Sequence, residues 1–325
     1  MHDHPVVRQS VDRGCGEHVE DGCAGEGQDG DAHGQQAVKC GVLVGYVDDG
    51  AYSYAHDNPA VLSDVLCAKY GRLAEWMNAN KLVINADKTH LMVMGKRNSE
   101  QKRKQVYMMA GEFLVKPSQT EKLLGGQLHQ SLDWSYHIRG SKGSLLQQLT
   151  GRIAGLRKVC KNGSFKTRLM VANGAVMSKL GYLITLWGGA SESLLRAVQV
   201  QQLVAARLVV GYGCWRWSRR KLLARVGWLS VKQLVVYHTV LQVCKTLESS
   251  VPRALYLALS DKYPRNTRNA ARGQIRNSEI FTSKATFKYR AMQWYNSVPS
   301  EVRAGSAPTV KKKLKKWISS SIPID

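Results

Sequence analysis

The hydrophobic pattern along the chain falls into three stretches. Residues 1–40 show neither a helical nor an alternating period. They carry seven Gly, eight Asp or Glu, four His and no aromatic residue. A segment so poor in apolar surface cannot offset its ordering entropy, so disorder is expected there. Order is expected to begin at Gly41. Residues 42–46 are apolar and β-prone, Val47-Asp48-Asp49-Gly50 is a tight acidic turn, and residues 51–55 resume an extended pattern with two tyrosines. This predicts a hairpin over 41–55 with Asp48 and Asp49 at its tip.

Asn58-Pro59 opens a helix. Val61, Leu62, Val65, Leu66, Leu73 and Trp76/Met77 then recur at helical spacing to about Asn80. Residues 82–84 and 91–94 read as strands around the turn Asn85-Ala86-Asp87-Lys88, and residues 98–104 as a charged loop. Residues 107–109 and 113–115 flank Ala110-Gly111-Glu112 as a second hairpin, and Lys122-Leu123-Leu124-Gly125-Gly126 closes a last strand and turn. From about Ser135 the period becomes helical, with helices predicted near 136–159, 165–182, 192–210, 219–226, 230–248, 285–296 and 309–319. Ser230 suits an N-cap, Pro252 and Pro264 mark breaks, and the Arg- and Asn-rich stretch 263–278 reads as a loop. No internal repeat is present. The expected fold class is α+β: small sheets over 41–134, a helical region over 135–210 and a basic helical region over 211–325.

Composition narrows the function class. The chain has 325 residues, 44% of them hydrophobic, enough for a sizeable core and about two domains. No stretch approaches the roughly 18 uncharged apolar residues of a spanning helix, and Arg207 interrupts the strongest candidate, 203–210. The N-terminus has no basic-then-apolar signal pattern. Seven scattered cysteines, an odd number, argue against a secreted disulfide framework. An intracellular protein, nuclear or cytoplasmic, without a membrane partner is expected. Cys15, His18, Cys23, His33 and Cys40 are zinc-ligand types, but their spacing fits no paired C-x2-C pattern.

The formal charge of +23 is unevenly spread. Residues 1–135 hold 14 Lys+Arg against 18 Asp+Glu, a net −4; residues 136–325 hold 33 against 6, a net +27. The basic part also carries Trp187, Trp215, Trp217, Trp228, Trp294 and Trp317. Basic charge with interleaved aromatics favours a polyanion, most simply nucleic acid; a merely solvated basic surface is the other reading. Lys158, Lys161, Lys166 and Arg168 surround a helix–helix connection and suit phosphate contacts, which position a strand without reading its sequence. Arg216, Arg219, Arg220 and Lys221, beside Trp215 and Trp217, combine phosphate pairing with base stacking.

The acidic hairpin carries a different chemistry. Two adjacent carboxylates at a strand tip repel one another, and a hard divalent cation such as Mg²⁺ relieves that repulsion. Nucleotidyl transfer uses two such ions, one activating the attacking oxygen and one stabilising the leaving oxygen. An ordinary Asp-rich turn is the structural alternative.

Around this hairpin the chain resembles the reverse transcriptases of non-LTR (LINE-type) retrotransposons. Val44-Gly45-Tyr46-Val47-Asp48-Asp49-Gly50 looks like their metal-binding hairpin. Asn80-Lys81-Leu82-Val83-Ile84-Asn85-Ala86-Asp87-Lys88-Thr89 resembles the next palm block. Lys122-Leu123-Leu124-Gly125-Gly126-Gln127-Leu128, then Leu132-Asp133-Trp134 and His137-Ile138, resembles the primer-grip turn and the entry to the thumb. Trp187-Gly188-Gly189, Trp228-Leu229-Ser230-Val231, Tyr295-Asn296-Ser297-Val298-Pro299 with Arg303, and the basic stretch 311–317 resemble the tail of these elements. The blocks stand in the family's order over roughly residues 41–325.

The resemblance implies a partial palm over 41–134, a thumb over 135–210 and a C-terminal region over 211–325, with 1–40 disordered or foreign to the element. It implies RNA-templated DNA synthesis with Mg²⁺ or Mn²⁺, deoxynucleoside triphosphates as substrate, and RNA and DNA as partners. Asp48 and Asp49 would be the metal ligands and Lys88 would assist protonation of pyrophosphate. Tyr46 would pack near the nucleotide or primer end, and Gly125 and Gly126 would form the primer grip. The family's third metal carboxylate, fingers and Gly-containing pocket block belong upstream of the hairpin, where only 45 residues precede Tyr46. The expected function is therefore a reverse-transcriptase fragment that is inactive alone, its sheet exposing an edge. A non-catalytic basic RNA- or DNA-binding protein is the alternative, and a translated relic the third.

Overall fold

The computed structural model describes residues 4–10, 39–46, 49–94, 100–140, 142–260, 267–276 and 286–323. The fold is mixed α+β and divides into two compact units, Met1–Asp133 and Trp134–Asp325. Among the described residues no helix is long and apolar enough to cross a membrane.

The first unit is built on a five-stranded sheet. Its elements in chain order are β1 (His4–Ser10), β2 (Lys39–Tyr46), β3 (Asp49–Ala55), α1 (Pro59–Ala79), a 3₁₀ turn (Ala86–Lys88), β4 (His90–Met94) and α2 (Glu100–Gln105). There follow β5 (Met108–Ala110), β6 (Phe113–Val115), β7 (Pro117–Ser118), β8 (Thr120–Leu123) and β9 (Gly126–His129). The main sheet runs β2-β3-β1-β4-β7, antiparallel except for the short β4–β7 pair; β5–β6 and β8–β9 are separate hairpins. Among the described residues β2 pairs only with β3, so it is an edge strand. Asn58 caps α1, its side chain accepting from the Ala60 N–H at 3.0 Å. The helix buries Leu62 and Leu66 against Tyr54, Leu91, Val93 and Met108. Buried Ser63 joins α1 to the β5 hairpin: its hydroxyl donates to the Pro59 carbonyl and accepts from the Tyr107 N–H at 3.1 Å.

Three segments of this unit depart from the expected pattern. Residues 4–10 form a strand, although the segment was expected to lack order. Strand β1 pairs with both β3 and β4 through its backbone, and ladder bonds do not require an apolar composition. Residues 1–3 and 11–38, with Cys15, His18, Cys23 and His33, lie outside the described residues, and Cys40 is in β2. Residues 82–84 are not a strand. Lys81 turns the chain out of α1 at φ 58°, Val83 is 82% exposed, and β4 is already paired on both sides. Finally, Glu100–Gln105 is helical rather than loop. Glu100 in the first turn and Lys102, Arg103 and Lys104 in the last complement the helix dipole, and Glu100 pairs with Lys104 at 3.0 Å.

The second unit is helical. It runs through α3 (Ser135–Arg139), α4 (Leu145–Cys160), α5 (Phe165–Ala172), a π-helical stretch (Asn173–Met177) and α6 (Ser178–Gly181). Next come α7 (Ile184–Trp187), α8 (Glu192–Val210), α9 (Arg219–Val226), α10 (Val231–Ser249) and α11 (Arg253–Leu259). The last four are α12 (Arg268–Ala271), α13 (Phe287–Ser297), α14 (Ser300–Arg303) and α15 (Ala307–Ser321). One core cluster runs from Ile138 through Leu149, Val176, Trp187, Val198 and Val209 to Leu222, Leu223 and Val235. It crosses the boundary expected at 210/211 as far as Val235, while the rest of the unit packs in two further clusters, one around Val236, Val240, Leu314 and Ile318 and one around Val243, Leu259 and Met292. The expected helix 136–159 is interrupted: α3 ends at Gly140, Gly143 takes φ 77°, and Ser144 caps α4. The expected loop 263–278 contains α12 and buried Ile275.

Apart from 311–317, whose five lysines are exposed, the blocks that carry the tail resemblance are packing positions. Trp187 is fully buried and donates its indole N–H to the Tyr182 carbonyl at 2.9 Å. Gly188 lets α7 approach α10: a Cβ there would stand 2.7 Å from Val235 and 2.5 Å from the Ile184 carbonyl. Trp228 donates to Asn173 Oδ1 at 2.8 Å, and fully buried Gln202 donates to the Leu229 carbonyl at 2.9 Å. Ser230 and Gln233 form a capping box on α10. The Asn296 side chain accepts from Ile275 N–H at 2.9 Å and donates to its carbonyl at 2.8 Å, like a short strand partner. Arg303 lies over the Tyr295 ring at 4.2 Å and donates to the Arg272 and Gly273 carbonyls.

Candidate nucleic-acid interface

The hairpin that carries the acidic pair lies where the hydrophobic pattern put it. β2 and β3 are antiparallel, with Tyr46 opposite Asp49 and a two-residue connection between them. Asp48 falls in that connection and lies outside the described residues. Asp49 also pairs with Ser10 of β1, while Arg8 of β1 pairs with His90 of β4. The 3₁₀ turn ending in Lys88 leads directly into β4, so Asp49 and Lys88 lie at the same end of the sheet with β1 between them. At about 4.8 Å per strand, β3 and β4 are about 10 Å apart there. Lys88 is exposed, and its backbone N–H donates to Asn85 Oδ1. β1 itself carries no Asp or Glu. Among the described residues no three His, Cys, Asp or Glu side chains gather as a metal-binding group.

Gly125 and Gly126 do not share one role. In the β8–β9 hairpin Leu123 pairs with Gly126, and the turn residues are Leu124 (φ 44°) and Gly125 (φ 78°). Two consecutive positive φ angles are the geometry of a type I′ hairpin turn. Gly125 supplies one of them, Leu124 the other, and Gly126 is the first residue of β9.

In the second unit the structure unites two clusters that the sequence offered separately. Lys158, Lys161, Lys166 and Arg168 surround the α4–α5 connection; Arg216, Arg219, Arg220 and Lys221 lead into and start α9. All are exposed except half-buried Arg168. Ser164 and Ser218 cap the following helices, accepting from the backbone N–H of Thr167 and Lys221, and so fix where each basic helix begins. Two contacts hold the clusters together. The Arg225 guanidinium stacks over the Phe165 ring at 4.3 Å, joining the end of α9 to the start of α5. The Arg168 guanidinium lies across the end of α8, where a Cβ on Gly211 would be 2.9 Å from Nη1; Gly211 takes φ 90°.

The basic surface so formed wraps around α9, about 12 Å long: the consecutive Arg219, Arg220 and Lys221 span about 200° of the helix. Near the start of α9 Lys221 sits 4.5 Å over the Trp217 ring, while Trp215 is 71% exposed and Tyr212 fully exposed. Two ring faces thus stand among the cations. Across residues 134–247 Glu192 is the single acidic residue, and it pairs with Arg196 at 3.6 Å. The charge carried by this stretch is therefore almost wholly positive. Sequence reasoning missed Phe165, Arg225 and Tyr212. The spacing of Arg219, Arg220 and Arg225 on one helix was visible, but the Phe165 contact, 60 residues away, was not.

Two histidines of the unit lie away from this face. Burial pushes His137 down to about 4, with Lys179 adding in the same direction; its ring meets Trp134 edge-on at 6.1 Å. Burial, then Lys245, also lowers His238. No protein-family model, no curated protein and no solved structure matches the chain.

Proposed function

We propose that this chain derives from a non-LTR retrotransposon reverse transcriptase and acts through its second unit as a phosphate-backbone binder for RNA or DNA, without polymerase chemistry of its own. The observation that carries the reading is the joining of the basic α4–α5 and α8–α9 segments through Arg225–Phe165 and Arg168–Gly211, with no carboxylate in residues 193–247 and with Trp215 exposed. Phosphate contacts from Lys and Arg give sequence-independent affinity, and an exposed indole stacks on any base.

The first unit supports the descent and the lack of synthesis together. Its register sets Asp49 at the head of β3, opposite Tyr46, rather than in the turn, and Asp48 and Asp49 would be its donors for Mg²⁺ or Mn²⁺. A two-ion site needs more carboxylate oxygens than one hairpin tip offers. Strand β1, which lies beside β3 at that tip, carries Val, Arg, Gln and Ser instead. Among the described residues no third His, Cys, Asp or Glu side chain joins these two as a metal-binding group. A primer-extension assay on a primed RNA with Mg²⁺ or Mn²⁺ tests this reading. No extension is expected; extension that disappears in Asp48→Ala would overturn it.

A further inference from the structure

A cavity of about 450 Å³ opens between α8, the start of α9 and the start of α10. That size lies within the roughly 300–1,000 Å³ of small-molecule pockets. Its floor is the buried pair Leu203 and Val231, and its wall is Leu195 and Val200, the latter 55% exposed. Arg219 stands on its rim, and Arg219 also belongs to the basic face. The rest of the lining is polar, with Glu192 paired to Arg196, so the recess has an apolar side at Leu195, Val200, Leu203 and Val231 and a polar side that includes Arg219, one of the cations expected to hold a phosphate.

We propose that this cavity receives an unstacked base of a single-stranded nucleic acid whose backbone lies on the basic face. The inference rests on the nucleic-acid reading of the second unit and adds a preference to it. A duplex reaches the face with its phosphates, but its bases stay stacked and paired, so the recess remains unfilled. A single strand turns one base outward at little cost and buries it against Leu195 and Val200, in the way extruded bases lodge between apolar side chains. Arg219 would hold the adjoining phosphate. One inserted base is expected to favour the single strand by about five- to tenfold, the lower end of what base stacking contributes.

The test fills the recess from its exposed wall. Val200→Trp is compared with wild type, using the full chain, for a labelled single strand and a duplex of equal length at one salt concentration. Thermal melting of both proteins establishes that the variant folds. Val200→Trp should weaken single-strand binding about five- to tenfold and leave duplex binding unchanged. As a second measurement, a strand carrying 2-aminopurine should brighten on binding wild type, as the base unstacks, and should brighten less with Val200→Trp. Equal loss for both nucleic acids, or no loss for either, overturns the cavity's role. If neither nucleic acid binds wild type at low salt, the basic face fails as an interface, and the cavity fails with it.

Discussion

His137 gives the second unit a pH dependence whose sign and size follow from its burial. The side chain is 2% exposed, and its folded value of about 4 lies below the ordinary 6.5. Between those two values the unfolded chain binds a proton that the folded chain does not, so acidification favours unfolding. The contribution is complete above pH 6.5 and is lost as pH falls toward 4. At about 1.4 kcal/mol per pH unit, the loss is about 2 kcal/mol at pH 5 relative to pH 7.5. His238, lowered by the same cause, adds in the same direction. Carboxylates contribute little in this window, because residues 136–325 contain only six. Urea unfolding followed by tryptophan fluorescence reports this unit, since seven of the eight Trp lie in it. His137→Phe keeps a ring against Trp134 and removes the titration. Wild type should lose about 2 kcal/mol between pH 7.5 and pH 5, and the variant distinctly less. Equal stability of wild type at the two pH values, or an unchanged pH dependence in the variant, would refute the assignment.

Two further substitutions test close packing and turn geometry. Gly188→Ala places a methyl 2.7 Å from Val235 and should cost about 1–3 kcal/mol in the same unfolding assay; a neutral effect would mean that α7 and α10 separate freely. In the first unit Leu124→Asn should stabilise the β8–β9 hairpin and Gly125→Ala should destabilise it, each by about 1 kcal/mol, read as opposite shifts in hydrogen-exchange protection of β8 and β9.

Local features were the most legible in the sequence. The 41–55 hairpin announced itself by two β-prone runs around an acidic turn, and α1, α8, α9 and α10 by helical spacing and caps such as Asn58 and Ser230. What escaped was non-local or short. Strand β1 forms because β3 and β4 both pair with it, a fact its own residues do not encode. Residues 82–84 have a strand's composition but no neighbour to pair with, and the four-residue α7 is too short for a period. A boundary was expected at 210/211, where α8 ends, yet the core beneath α8 continues across it through Cys214, Leu222 and Leu223 to Val235. The eight cations of the two clusters were visible one by one. Their union was not, because it depends on Arg225 meeting Phe165 and on Gly211 making room for Arg168.

The central claim is that one basic face, assembled from both clusters, binds nucleic-acid backbone. It is tested by titrating a labelled oligonucleotide with the full chain over a series of salt concentrations. Three proteins are compared: wild type, the Lys158, Lys161 and Lys166→Ala variant, and the Arg216, Arg219, Arg220 and Lys221→Ala variant. Six phosphate contacts predict a log–log slope of roughly −4 to −5 for wild type, from counterion release. Each variant should weaken binding similarly for every sequence and flatten the slope, because both sets lie on the same face. Undetectable binding at low salt, an affinity independent of salt, or a wild-type slope in both variants would contradict the account.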